Sequence, residues 1–357
     1  MAKKVMVAMS GGVDSSVAML KIIEMGYDAF GVTMKLWDYQ SAGGNISRDN
    51  SCCSVEEING AKLVCDRLGV PHYTIDFMDT FKESVIDDFA REYFSGRTPN
   101  PCVRCNSFVK WDAFLKQAEL LGADLIATGH YAQVKEDKNG WHLLRGKDPN
   151  KDQSYFLAGL NQKQLSKAVF PIGDIKKPEV RQIAKQAKLV NADRKDSQGI
   201  CFIGKVDLKI FLQQKIKPKV GDIVDTKGNV LGEHQGVWYY TIGQRKGLDI
   251  GGSGPWYVVS KDIKNNKLIV GHVDDEALYN KSVQMTDLHW LGKEHKLPLK
   301  AKAQIRYRQP GQDIVLSSRA KSRDLIAEFK KSQAGVASGQ ILAVYKKDEL
   351  IASGNIV

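Results

Sequence analysis

Cysteine is scarce: six in 357 residues, at positions 52, 53, 65, 102, 105 and 201. That excludes a disulfide scaffold and leaves reduced, reactive or metal-binding thiols. Long apolar runs are absent. The first, Val5 to Met9, is cut by Ser10-Gly11-Gly12 before it could act as a signal peptide, and none approaches the length that crosses a bilayer. The expectation is a cytoplasmic protein with no membrane partner. Internal repeats and low-complexity tracts are missing too, which excludes a solenoid or a disordered tail as the organising feature.

What is present, 43% hydrophobic and 26% charged residues, is a globular composition, and the length predicts two or three domains. Basic side chains outnumber acidic ones by 52 to 41, and the excess is uneven. Residues 1–204 carry 27 basic and 25 acidic side chains, 205–280 carry 11 and 9, and 281–357 carry 14 and 7. Such a basic terminal block attracts a polyanion without implying sequence readout.

Ser10-Gly11-Gly12-Val13-Asp14-Ser15 lies between a strand-like run and the apolar-periodic segment 17–25. Amides in the first turn of a helix lack intrahelical partners, and two glycines let the backbone approach an anion closely. Ser10 and Ser15 add hydroxyls, and Asp14 can reach a magnesium ion on the same phosphates. Without a phosphate, the same residues would make a tight turn and cap an ordinary helix. No lysine comes after the glycines, so this is not a Walker A loop, nor does it match G-x-G-x-x-G.

Strands at 28–36, 72–76 and 125–128 alternate with helices at 55–68, 81–94, 108–121 and 178–189, the pattern of an α/β fold with a parallel sheet. Ligands of such sheets collect at the carboxyl ends of strands, where the loop, Met34 and Thr128-Gly129-His130 would lie. Met34 suits either an adenine or the core. Cys52 and Cys53 read as packing residues. In Gly96 to Asn106, Pro99 and Pro101 are expected to keep the chain out of regular helix and present the next residues in a fixed pose. Cys105, near a helix start beside Arg104, has the surroundings of a nucleophilic thiolate. Cys102-x-x-Cys105 also leaves open half of a zinc site, or an iron–sulfur cluster shared with Cys201.

Strands at 131–135 and 141–145 would pair. Lys151, Asp152 and Gln153 then offer donors and acceptors to a base or phosphate within a turn. Cys201, between Ile200 and Phe202, reads on its own as a buried strand residue. From about 205 the texture becomes β: antiparallel strands at 256–260 and 267–271, then 300–307, 313–317, 325–329, 340–345 and 349–356 in a small barrel. Arg306-Tyr307-Arg308 alternates cation and aromatic, which suits phosphate pairing and stacking as well as an ordinary exposed strand.

The loop resembles that of the N-type ATP pyrophosphatases (PP-loop enzymes). Taken with Gly96–Asn106, 128–131, 148–155, 199–204, Thr241 to Leu248 and Arg306–Gln309, the whole chain resembles the bacterial tRNA-specific 2-thiouridylases, the MnmA/TrmU family. The resemblance implies a PP-loop adenylation domain at 1–204, a mostly β central domain at 205–280 and a basic, tRNA-contacting β-barrel at 281–357. It implies conversion of the C2 oxygen of a wobble uridine to sulfur, with ATP and magnesium and a persulfide sulfur-relay donor. Ala8, Met9, Ser10, Gly11, Gly12, Val13, Asp14, Ser15, Met34 and Gly129 would bind ATP. Cys105 matches the nucleophile and Cys201 the persulfide carrier. Asn100, Pro101, Cys102, His130, Lys151, Asp152, Gln153, Arg306, Tyr307 and Gln340 match positions that meet tRNA. Many members carry Asp in place of Cys102, and Ala337-Ser338-Gly339-Gln340 lacks the family's usual proline.

Overall fold

The computed structural model describes residues 2–37, 55–196, 208–213, 215–251, 254–318 and 324–357. Cys52, Cys53 and Cys201 lie outside the described residues. Strand β1 (Lys4–Ala8) turns through the glycine loop into helix α1 (Val13–Glu24). Then come β2 (Asp28–Lys35), helix α2 (Val55–Leu68), β3 (His72–Asp76) and β4 (Leu125–Ala127). The hairpin β5 (Ala132–Asp137) and β6 (Gly140–Arg145), the short β7 (Ala168–Val169) and a helix, Lys177–Gln186, come next.

One sheet runs β3-β2-β1-β4-β7 with every neighbouring pair parallel. Met6 joins Phe30, Phe89 and Phe114 on one face, whereas Val5 and Val7 pack with Val17, Ile22 and Val180 on the other. Burial on both faces explains why β1 is a continuous apolar run and not an alternating one. The carboxyl ends of β1, β2 and β4 carry the glycine loop, Met34 and Gly129, as the α/β reading requires.

The prolines act differently from expectation. Pro101 occupies the first position of a helix instead of holding the segment out of one, and Asn100 Oδ1 caps it, accepting from the Val103 N–H at 3.2 Å. Proline fits there because its missing N–H would have no helical partner anyway. Helical turns then run from 101 to 120 through a π-helical stretch, Cys105–Ala113.

The central sheet, β10-β11-β8-β9, is built from β8 (Gly221–Asp225), β9 (Val230–His234), β10 (Tyr257–Asp262) and β11 (Lys267–Gly271). It is not wholly antiparallel: β11 pairs parallel with β8, Leu268 opposite Ile223. Turn residues fix the pairing inside each hairpin, but not the direction in which two hairpins meet.

Six further strands are β12 (Tyr279–Trp290), β13 (Leu299–Gln304), β14 (Gln312–Ser318), β15 (Leu325–Ala334), β16 (Ile341–Lys346) and β17 (Glu349–Ile356). They run β12-β15-β14-β13-β16-β17, and β12 also pairs with β17, closing an antiparallel barrel around Val283, Leu316, Phe329 and Val344. The expected strand at 300–307 stops at Gln304, so Arg306-Tyr307-Arg308 lies in a turn, with Arg308 at φ 62°. Strand β6 adds to β17, Leu144 opposite Glu349, and so the hairpin extends the barrel's sheet. His142 fastens that seam between Glu349 Oε1 at 2.7 Å and Asp137 Oδ1 at 2.8 Å, and hydrogen bonds to these two carboxylates raise its pKa above the usual histidine value.

Candidate active site

The turn from β1 into α1 is held from several sides. Gly11, at φ +72°, lies so close to α2 that a Cβ there would sit 2.4 Å from the Glu57 carbonyl oxygen. Gly129 packs on the first turn of α1, where a Cβ would come within 2.7 Å of the Asp14 carbonyl carbon and 2.8 Å of the Ser15 nitrogen. Asn191 Nδ2 donates to the Gly11 carbonyl and to Ser16 Oγ, each at 2.8 Å, and Arg194 reaches the same carbonyl at 3.3 Å. Ser15 Oγ donates to the Gly12 carbonyl at 3.0 Å and stands 3.2 Å from Ser10 N and Ser10 Oγ. Ser15 therefore braces the loop from inside. Gly12 is the N-cap, and among the described residues no side chain caps α1, which leaves its first amides to an outside anion.

Asp14 stands in that first turn. Its Oδ1 accepts from Tyr131 Oη at 2.7 Å and from Lys177 Nζ at 2.6 Å. Lys177 also pairs with Asp196 at 2.9 Å, and Lys151 and Arg181 meet Asp196 at 2.6 Å each. Burial alone would raise the Asp196 pKa, but hydrogen bonds from Lys151 and Lys177 outweigh it and hold it at about 2. Burial, with the Asp14 carboxylate beside it, pushes the Tyr131 phenol far up, so it stays a donor.

In the thiol segment the helix starts earlier than the sequence suggests. The Cys105 N–H bonds back to the Pro101 and Cys102 carbonyls, so Cys105 lies past the first helical turn, and the first-turn thiol is Cys102. Arg104 is turned to the buried Asp88 carboxylate at 2.7 Å and lies 4.6 Å over the Phe108 ring. Cys105 packs partly against the apolar core. The chain just before it is clamped by the barrel: Gln340 Nε2 donates to the Thr98 and Pro99 carbonyls at 2.9 Å each, and the Thr98 N–H donates to the Ser338 carbonyl at 2.7 Å. Asn100 Nδ2 lies 3.4 Å from Gln340 Oε1.

Other polar residues singled out in the sequence are engaged within the chain. His130 is buried with Nδ1 2.7 Å from Thr128 Oγ1, and burial, then the Lys110 charge, keeps its pKa well below the usual value. Asp152 holds Arg145 at 2.6 Å and accepts from the Gly146 and Ser154 amides at 3.0 and 3.1 Å. Gln153 Oε1 accepts from the Tyr131 amide at 3.0 Å. Arg306 is exposed, whereas the Tyr307 ring packs 4.2 Å from that of Phe156. Tyr155, beneath them, donates to the Ile341 carbonyl at 2.8 Å.

Three family models match the chain in succession: the tRNA methyl transferase HUP domain over residues 3–205, the tRNA methyl transferase PRC-barrel domain over 209–272 and the aminomethyltransferase beta-barrel domain over 280–356. The chain is 44% identical over 356 residues to the tRNA-specific 2-thiouridylase MnmA of Shouchella clausii (strain KSM-K16), covering 99% of this chain and 96% of that protein. The protein of the same name from Geobacillus thermodenitrificans (strain NG80-2) is also 44% identical, covering 99% and 94%. That of Flavobacterium johnsoniae is 41% identical over 399 residues, covering 99% and 100%. The chain belongs to the MnmA family of tRNA-specific 2-thiouridylases.

Several residues that shape this site carry no local signal. Lys177 touches Asp14 across 163 positions, and Asn191 touches Gly11 across 180. Pro178 marks a helix start in the sequence, but nothing in the surrounding pattern says which carboxylate the preceding lysine will meet. The resemblance implies a tRNA contact for Gln340, and its amide also holds the backbone ahead of the thiols.

Proposed function

We propose that this chain adenylates the C2 oxygen of a tRNA wobble uridine and replaces it with sulfur from a Cys201 persulfide, which a sulfur-relay donor reloads. The observation that carries this reading is the α1 start: uncapped amides, Asp14 and the close approach of Gly129, in a chain related to 2-thiouridylases over almost its full length. Ala8 to Ser15 with Gly129 would hold the ATP phosphates, and Met34 would meet the adenine. Both hydrogen bonds to Asp14 among the described residues fall on Oδ1, so the Asp14 carboxylate would have Oδ2 to offer magnesium, which would neutralise phosphate charge.

The uridine oxygen forms a bond to the α-phosphorus as the bond to the β-phosphate breaks and pyrophosphate leaves with the electron pair. The terminal persulfide sulfur then attacks C2, and AMP departs carrying the former uridine oxygen. Cys105 attacks Cys201 Sγ, the S–S bond breaks toward the base, and a Cys105–Cys201 disulfide remains for an external thiol to reduce. Cys102 and Cys105, three positions apart on one helix, also suit two corners of an iron–sulfur cluster whose third thiol would be Cys201.

For tRNA, a cleft of about 1840 Å³ between hairpin β5–β6 and the barrel is lined by nine Lys and Arg against five Asp and Glu. That balance suits a phosphate backbone. Tyr155 lines the cleft and donates to the Ile341 carbonyl, next to Gln340, whose amide holds the Thr98 and Pro99 carbonyls, so RNA held there would lie near the segment Asn100, Pro101 and Cys102. His130, Lys151, Asp152, Gln153, Arg306, Tyr307 and Gln340 complete the proposed RNA contacts. The domain division at 204 and 280 and a cytoplasmic setting belong to the same proposal. No helix among the described residues is long and apolar enough to cross a membrane.

Unmodified tRNA incubated with the protein, ATP, magnesium and a persulfide donor, then digested for nucleoside mass spectrometry, is expected to contain 2-thiouridine only when ATP is present. Cluster-free and cluster-reconstituted protein run side by side would decide between the persulfide and cluster forms. A chain that forms no thionucleoside in either state contradicts the proposal.

A further inference from the structure

Two of the four residues Thr98-Pro99-Asn100-Pro101 have no backbone N–H, and the carbonyls of this stretch need donors from elsewhere. Thr98 and Pro99 are both buried. Among the described residues one group serves both of their carbonyls, Gln340 Nε2, at 2.9 Å from each. An amide nitrogen carries two hydrogens, so both donors of Gln340 are spent on this backbone. Its Oε1 accepts from Asn100 Nδ2 at 3.4 Å.

Gln340 is itself fixed by the barrel. Its N–H donates to the Ala337 carbonyl at 3.2 Å, and its carbonyl accepts from the Ile356 N–H of β17 at 2.8 Å. Gly339, at φ +89°, lets the turn lie flat on the segment, because a Cβ there would stand 3.1 Å from both Thr98 N and Thr98 O. What this turn holds is the start of the thiol helix. Asn100 caps that helix, with Oδ1 accepting from the Val103 N–H and its carbonyl from the Arg104 N–H, each at 3.2 Å. A shift at Thr98 to Asn100 therefore carries Cys102 and Cys105 with it. On the other side the Ile341 carbonyl takes the hydroxyl of Tyr155, which lines the cleft proposed for RNA.

We infer that Gln340 is a positioning residue for sulfur transfer: beyond the RNA contact proposed for it, its amide sets the pose of the helix that bears Cys102 and Cys105. The inference rests on the sulfur-transfer reading proposed above. A thiol that attacks a persulfide must approach along the S–S bond it breaks, so a displaced helix slows exchange. The glycine loop, which Gln340 does not touch, keeps its shape.

Gln340→Glu keeps the size and the acceptor oxygen but loses both donors, and Gln340→Met loses every polar atom. At saturating anticodon stem-loop RNA, both are expected to form 2-thiouridine about tenfold to a hundredfold more slowly per ATP-binding chain. Their ATP affinity by calorimetry is expected to stay within about twofold. Without RNA, hydrogen exchange at the Val103 and Arg104 amides is expected to quicken by about tenfold, while exchange at Val344, in the interior of the barrel, stays as it was. A raised KM for RNA with an unchanged rate at saturation would leave Gln340 an RNA contact alone and overturn the inference. So would unchanged exchange at Val103 and Arg104, or exchange that rises equally at Val344. An unsubstituted chain that forms no 2-thiouridine overturns the proposed reaction and this assignment with it.

Discussion

Cys105→Ser is expected to yield no 2-thiouridine, a loss of about a thousandfold or more, while single-turnover pyrophosphate release with tRNA stays within about threefold of the unsubstituted chain. Serine matches the thiol in size, and Cys105 lies inside a helix that Asn100 and Pro101 start, so the fold should carry the change. What is lost is exchange chemistry: a hydroxyl cannot attack a persulfide's inner sulfur and release the outer one to the base. In the proposed reaction, adenylation would belong to the loop at Asp14, which Cys105 does not build. Full thionucleoside yield from Cys105→Ser would remove the thiol from the reaction. Loss of pyrophosphate release together with the product would place Cys105 in the activation step instead.

Gly129→Ala should weaken ATP binding by about tenfold to a hundredfold, because overpacking against rigid backbone costs about 1–3 kcal/mol. The added Cβ would stand 2.7 Å from the Asp14 carbonyl carbon and 2.8 Å from the Ser15 nitrogen, neither of which can swing aside like a side-chain tip. Either the end of β4 or the start of α1 must move, and the amides that would meet phosphate move with it. Gly232→Ala is the matched control, since a Cβ there meets nothing within 4 Å, and its ATP affinity should be unchanged. Equal ATP affinity in both variants would mean that the Gly129 contact does not shape the nucleotide site.

The parts of this molecule legible in its sequence are those whose physics is local. The β1–loop–α1 unit is one, since apolar run, double glycine, Asp14 and helix periodicity occur within a few residues. The parallel sheet is another, because two-sided burial leaves an apolar run at β1 whichever strands flank it. The thiol segment misleads because Pro99 and Pro101 read alike, yet Asn100 between them supplies a cap that makes Pro101 a helix start. Arg104 has a partner that its place in the sequence does not reveal. Adjacency in sequence places it beside Cys105, and the helix turns it to Asp88. Lys177, Asn191 and Gln340 are illegible as neighbours of Asp14, Gly11 and Thr98, because side-chain pairing across most of the chain leaves no period or spacing to read.

The central claim is that ATP is cleaved to make the uridine oxygen a leaving group, and an isotope can track that atom. An anticodon stem-loop RNA carrying oxygen-18 at C2 of the wobble uridine is incubated with the protein, ATP, magnesium and a persulfide donor. The AMP is then recovered and weighed by mass spectrometry. Labelled AMP in equal amount to the 2-thiouridine formed is the predicted result. Thiolation accompanied by unlabelled AMP would contradict it, because the oxygen would then have left without ever joining the nucleotide.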